Sequence, residues 1–453
     1  MRKLFPLLLL SLLFLADASA QQLPSILPLR ERATLEDKLL QERLDNLLPN
    51  LMRRHGVDMW LIIAREYNED PVIRTMLPAT WLAARRRTIL LFHDNGKQVE
   101  RLAVARYDIG NLFKGAWNPE QEPNQWKRLA ALIAERNPKK LALNTSPHFG
   151  HADGLTKTEW DSLMHHMPKA QQQRVVSAEK LAVDWLQVRT QTELDLYEQI
   201  SQLGHRIIAE GFSEQVIQPG ETTTEDVVWW FRERISELKL EAWFHPTVDV
   251  QRANPGAGDS EPFFAQRPAQ EVIQSGDLLH VDLGITYLTL NTDVQQLAYV
   301  LKPGEKDAPA YLKKALATGN HLQDILTSHM KPGRTGNEVL KATLAQAKKE
   351  NIEASIYSHP IGYHGHGAGP AIGMWDMQRG VPGTGDYPLQ TNTVYAIELN
   401  AKVTLPAWNN KEIRVMLEEQ AALMPQGMRY IHGRQKELLL IPRQVISGSY
   451  LGQ

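Results

Sequence analysis

Asp282, Asp293, Glu398 and Glu418 lie inside strongly apolar stretches of this chain: LLHVDLGI, LNTDVQQLAYVL, TVYAIELN and RVMLEEQAALM. Carboxylates rarely enter such segments without a partner. Burying several ionised carboxylates together costs many kcal/mol through lost hydration and mutual repulsion, unless protons or bound cations neutralise them. Whatever fold the chain adopts must bring countercharge to these positions, and a pair of divalent cations would supply it.

The chain has 453 residues, 43% hydrophobic and 23% charged, enough for two domains. Arg2 and Lys3 precede a 13-residue apolar run and then the small-residue site Ala18-Ser19-Ala20. This reads as an export signal over residues 1–20, cleaved after Ala20. The run is too short to span a bilayer, so no membrane partner is expected after cleavage. The absence of cysteine excludes disulfides and thiolate chemistry. A periplasmic or secreted location follows as the expectation. Net charge is −2 and no basic footprint indicates nucleic acid. The run Arg85-Arg86-Arg87 reads as a solvated helix end rather than an anion site.

Apolar residues at helical spacing (Leu39, Leu40, Leu44, Leu47, Leu48, Leu51) predict a helix from about 35 to 54. Strand-like runs follow from Asp58, Thr88, Glu100 and Lys140. This alternation predicts a small α/β domain over residues 21–185. Residues 186–453 carry an internal echo in their punctuation. A helix with Leu196, Ile200, Leu203 and Ile207 leads to Pro219-Gly220-Glu221-Thr222 and a second helix. Later a helix from about 308 to 330 leads to Pro332-Gly333-Arg334-Thr335 and another from about 337 to 349. Pro-Gly supplies a turn and the threonine a helix N-cap in each copy. Two facing α+β halves would leave a cleft between them.

Asp282 and Asp293 are eleven residues apart on runs that can pair as a hairpin with both carboxylates on one side. Turn or capping roles stay open for both. His366 stands in the glycine-rich segment Tyr363-His364-Gly365-His366-Gly367-Ala368-Gly369, as a metal ligand or a satisfied structural histidine. Glu398 and Glu418 follow runs apolar on both faces. Oxygen-rich ligation with one imidazole suits Mn²⁺, Fe²⁺, Co²⁺ or Zn²⁺. Paired ions can activate water near neutral pH and stabilise the oxyanion of an attacked carbonyl, so amide hydrolysis is the expected use. No GxSxG elbow, HExxH helix or cysteine nucleophile supports another hydrolytic chemistry.

The order Asp282, Asp293, His366 in its Gly-His-Gly-x-Gly setting, Glu398, Glu418 resembles the pita-bread metallopeptidases, which include aminopeptidase P, prolidase, methionine aminopeptidase and the metal-free creatinase. The resemblance covers the chain from about residue 190, and the preceding domain is similar to the creatinase or aminopeptidase P amino-terminal domain. It implies an α+β fold with a pseudo-twofold repeat, preceded by the smaller α/β domain. It further implies that Asp282 chelates one ion, Asp293 and Glu418 bridge both, and His366 and Glu398 complete the second. Glu418 is preferred over Glu419 because Gly427 follows it by nine residues, as in the family's closing motif.

Two positions depart from that pattern. A substrate-facing histidine about seven residues after the ligand histidine is replaced by Gly373, and one about eighteen before the first aspartate by Phe264. His364, His359 and His245 stand as candidate catalytic substitutes, with Tyr363 and Asp376 behind them; His280 shares the parity of Asp282. The resemblance implies a peptidase with two divalent ions, manganese foremost, acting on peptides with proline second. An Xaa-Pro dipeptidase and a peptide-binding protein without turnover are the alternatives, and homodimers are common in the family.

Overall fold

The computed structural model describes residues 24–254 and 270–443. The expected export signal and Phe264 lie outside the described residues. No helix among the described residues is long and apolar enough to cross a membrane.

The first unit is built on a six-stranded mixed sheet. In spatial order its strands are Lys114–Gly115, Val99–Ala103, Arg87–Asp94, Met59–Arg65, Leu141–Leu143 and Val175–Ser177. The central strand shows why its sequence is apolar throughout. Met59, Leu61 and Ile63 enter one core with the helices Gln125–Arg136 and Lys157–His166, while Trp60, Ile62 and Ala64 enter the other. Both faces are covered, so period-two alternation is lost. The first expected helix is interrupted: Leu29–Glu42 and Leu48–Arg54 flank a π-helical turn, Arg43–Leu47, which carries the fully buried Arg43. The arginine run does not end a helix. It leads into the strand Arg87–Asp94, and Arg87 pairs with Glu159 at 2.8 Å.

The second unit has the expected echo. Helices Gln191–Gly211 and Thr224–Glu237 pack on the four-stranded sheet Leu439–Ile441, Val294–Val300, Leu278–Leu283, Thr247–Gln251. Helices Ala310–His329 and Gly336–Lys349 pack on the strands Glu353–Ile356, Leu399–Leu405, Lys411–Leu417 and on a further sheet, His359–Ile361, Thr393–Ala396, Gln420–Met424, Gly427–Tyr430. The fold is therefore α+β with two helix-pair-on-sheet halves. In the second copy Thr335 caps its helix as expected, its hydroxyl accepting from the Glu338 amide in a reciprocal box. In the first copy the cap is Thr223, not Thr222. Thr222 Oγ1 instead accepts from the Gln218 amide inside the turn at 2.9 Å, and the following threonine takes Asp226 as its box partner.

Candidate metal centre

The acidic residues reach one place because the chain changes sheet where they stand. Asp282 is on the strand Leu278–Leu283, opposite Gln295 in the antiparallel register. Asp293 immediately precedes the partner strand, and a short hairpin over Ile285–Asn291 separates the two. Glu398 lies between Thr393–Ala396 and Leu399–Leu405, two strands of different sheets. Glu418 lies at the return crossing, between Lys411–Leu417 and Gln420–Met424, and is tied by a backbone bridge to Gln295. Where a strand leaves one sheet for another the pleat is interrupted, so both glutamates project into the seam. The neighbouring Glu419 faces away, bonded to His205 at 2.6 Å and to the Gln435 amide at 3.0 Å.

The imidazole at the centre of the cluster belongs to His359. Its Nε2 is 3.9 Å from Asp293, 3.8 Å from Glu398 and 3.7 Å from Glu418. These separations are too long for hydrogen bonds. They suit donor atoms gathered around one ion, since two atoms each about 2.1 Å from a common cation are at most about 4.2 Å apart. Ligand atoms converge within 4.8 Å in three overlapping groups: Asp293, His359 and His366; His359, Glu398 and Glu418; Asp282, Asp293 and Glu418. His366 is exposed and joins only the first, its ring 4.9 Å from that of His359. The sequence reading made His366 a ligand of the second ion and His359 only a candidate catalytic residue; the geometry brings both to the cluster, with His359 in two of the three groups and His366 in one.

Four buried atoms in the cluster have no hydrogen-bond partner: Asp282 Oδ1, Asp293 Oδ1, Glu418 Oε1 and His359 Nε2. His359 Nδ1 faces its own chain's Pro360 carbonyl at 3.0 Å and donates to it, which leaves the Nε2 lone pair directed at the carboxylates. Burial, then repulsion from Asp282 and Glu398, drives the Asp293 carboxyl well above its ordinary range. Burial and Asp293 do the same to Glu418, and burial and Asp282 to Glu398. Burial pushes Asp282 up to about 6 and His359 down to about 4. Unpaired buried oxygens crowded around a neutral imidazole are a donor set that fits divalent cations.

Gln295 was not singled out from sequence and is the hub of the wall behind the cluster. Its Nε2 donates to Glu398 at 2.6 Å and to Glu418 at 2.9 Å, while its Oε1 accepts from His280 at 3.0 Å. The other nitrogen of His280 meets Asp249 at 3.2 Å. The sign of this in the sequence is parity: Gln295 is two residues after Asp293 and polar within an apolar run.

The remaining candidates separate. His364 lies beside His151 of the first unit, their rings 4.6 Å apart. His245 is exposed, 3.2 Å from the Arg232 guanidinium and against Trp229. Asp376 is exposed. Tyr363 is held between the guanidinium groups of Arg43 and Arg189. Gly373 has φ +76, and an added Cβ would stand 2.1 Å from the Ile356 carbonyl oxygen. No histidine fits that position.

A two-halved α+β shell around such a cluster describes a class of metal-dependent hydrolases. The family model for metallopeptidase family M24 matches residues 195–430, slightly more than half of the chain. The chain belongs to this family. None of the curated proteins compared matches the sequence. Among solved structures it is similar to an X-Pro aminopeptidase from Thermotoga maritima MSB8, with TM-score 0.61 and 16% identity over 86% of this chain and 99% of that one. An Xaa-Pro dipeptidase from Bacillus anthracis gives TM-score 0.54 and 16% identity over 90% and 99%. The N-terminal domain of FACT complex subunit SPT16 from Cicer arietinum gives 0.52 and 12% over 91% and 99%. At these identities the likeness is one of fold.

Proposed function

We propose that this chain is an exported aminopeptidase that holds two divalent cations, manganese foremost, and hydrolyses the bond before proline in Xaa-Pro peptides. The observation that carries the reading is the set of four partnerless buried atoms on Asp282, Asp293, Glu418 and His359. Kinship of fold with an X-Pro aminopeptidase and an Xaa-Pro dipeptidase supports proline as the second residue. Arg2, Lys3 and the Ala18-Ser19-Ala20 site support export.

In this reading His359, not His366, is the imidazole ligand. Asp293 and Glu418 each belong to two of the three converging groups, as His359 does, and these two carboxylates would hold both cations. Counting seven residues from His359 arrives at His366, so the substrate-facing histidine is present and the glycine at 373 is no loss. The exposed His366 ring then binds the substrate carbonyl from the open side. When bound, the cations act as Lewis acids and lower the pKa of water. Among the carboxylates facing His359, Glu398 is the most open, with 13% side-chain exposure. It takes the proton of the attacking water at a carboxylate oxygen and returns it to the departing proline nitrogen.

Metal analysis of the purified protein, together with release of the first residue from Xaa-Pro-Xaa and Xaa-Pro substrates, tests the reading. About two ions per chain are expected, and both ions and turnover are lost in Asp293→Ala and Glu418→Ala. Unchanged metal content and activity in both variants would overturn it. A second reading is a peptide-binding protein without turnover; the fold is shared with a domain named as part of a complex subunit and not as a peptidase. It requires binding of proline peptides with no hydrolysis even when Mn²⁺ or Co²⁺ is supplied.

A further inference from the structure

Glu398 and Glu418 stand at the two crossings between sheets, and a residue at a crossing loses the ladder partners of its main chain. For Glu418 another backbone makes good the loss. Its amide donates to the Gln295 carbonyl at 3.3 Å and its carbonyl accepts from the Gln295 amide at 3.1 Å. For Glu398 a single side chain serves both groups: the Ser358 hydroxyl accepts from the Glu398 amide at 2.9 Å and donates to the Glu398 carbonyl at 2.9 Å. The Tyr357 amide adds a longer bond to the same carbonyl, at 3.2 Å.

The main chain around Ser358 explains why a hydroxyl is needed there. It is passing from the strand Glu353–Ile356, paired with Leu399–Leu405, to the strand His359–Ile361, paired with Thr393–Ala396. Two neighbouring chains thus change sheet side by side. The Ser358 carbonyl is turned to the Ile372 amide, at 2.9 Å, so the side chain is what faces Glu398. Ser358 is fully buried, and bulk water does not compete for its bonds. The next residue is His359, whose Nε2 is 3.8 Å from the Glu398 carboxylate. Gln295 holds that carboxylate from its other end, at 2.6 Å. A side chain fixed at both ends keeps one geometry, which ligation and proton transfer both require.

We propose that Ser358 is a positioning residue: its hydroxyl locks the Glu398 main chain against the strand that carries His359, and so sets the Glu398 carboxylate for metal ligation and for proton transfer in amide hydrolysis. The inference rests on the peptidase reading and adds a residue that acts through another.

The test measures, on the full chain, Mn²⁺ affinity by competition with a chelator, and kcat and KM for an Xaa-Pro-Xaa peptide at saturating Mn²⁺. Ser358→Ala should lower both affinity and kcat by about 10–100-fold, with KM unchanged. Ser358→Thr keeps the hydroxyl and should recover most of both losses. A merely structural hydroxyl would lower Tm in the alanine variant and leave the affinity and kcat of the folded protein at the parent's values. Ser358→Cys fills the same space with a weak donor and acceptor and should repeat the alanine result, so the outcome does not hinge on the alanine variant folding. Parent affinity and kcat in either variant, or a threonine variant no better than the alanine one, overturns the role of Ser358 and leaves the peptidase reading intact. A parent that binds Mn²⁺ but cleaves no Xaa-Pro peptide overturns the peptidase reading, and the affinities alone then decide whether Ser358 sets Glu398. A parent that binds no Mn²⁺ overturns both.

Discussion

His359 and His366 both reach the cluster, from backbones of different kinds, and the difference separates the roles proposed for them. The glycines around His366 let the loop pack closely, an added Cβ at Gly365 meeting Trp243 and one at Gly367 the Pro360 carbonyl, while His366 itself is exposed. His359 begins a strand paired with Thr393–Ala396, which sets its ring in the seam beside Glu398. His359→Ala should therefore lose metal, whereas His366→Ala should keep its ions and lose turnover; elemental analysis beside kcat separates the two. Gln295 gives a second prediction. Gln295→Leu removes the amide that orients Glu398 and Glu418, and His280→Phe frees it from its anchor, so each should weaken metal affinity by about 10–100-fold. The double variant should be no weaker than either single one, as read by competition with a chelator. Glu419→Gln, on the far side of the strand, should leave metal content unchanged. The four acids were legible because buried charge is costly wherever it occurs. That His359 stands among three of them was not, because strand pairing and not composition sets its face.

At the scale of elements, the repeated turns were readable to within one residue. Pro-Gly and threonine mark both connections, but the copy at Thr222 spends that hydroxyl on its own turn and leaves capping to Thr223. Thr335→Ala removes one half of the second capping box, and a loss of about 1 kcal/mol is expected in denaturant unfolding. The strands were visible as apolar runs. That Glu398 and Glu418 occupy the two crossings between sheets was not, because sheet membership depends on partners far away in sequence. The π-helical turn at Arg43 was equally hidden, since its periodicity reads as continuous helix.

For the molecule as a whole, the two units are joined through Arg43. Its guanidinium is fully buried, bonded to Glu193 at 2.6 Å and to the carbonyls of Val188 and Trp185, and Arg189 pairs with the same glutamate. Removing one member of such a buried pair strands the others, so Arg43→Ala should cost about 3–5 kcal/mol in urea unfolding. The centre also couples the whole fold to pH. Without metal, Asp282, Asp293, Glu398 and Glu418 hold protons more tightly in the folded state than the ordinary carboxyl value of about 4. The folded chain then binds more protons than the unfolded one, and stability falls as pH rises from about 4 through 6 and above. Chelated protein should melt lower at pH 8 than at pH 5, and divalent metal should close that gap; equal Tm values under chelation at both pH values would contradict the assignment.

Sequence by itself determined that acids stand in apolar strands, that the second half repeats its own punctuation, and that protons or cations must answer the charge. Those are local facts: composition and spacing carry them without reference to distant segments. The tertiary structure decided which histidine joins the carboxylates, which of two adjacent glutamates faces them, and that Gln295 and His280 hold them from behind. Each of these depends on which strand lies beside which, and a side chain's face is fixed only when its neighbours across the sheet are in place.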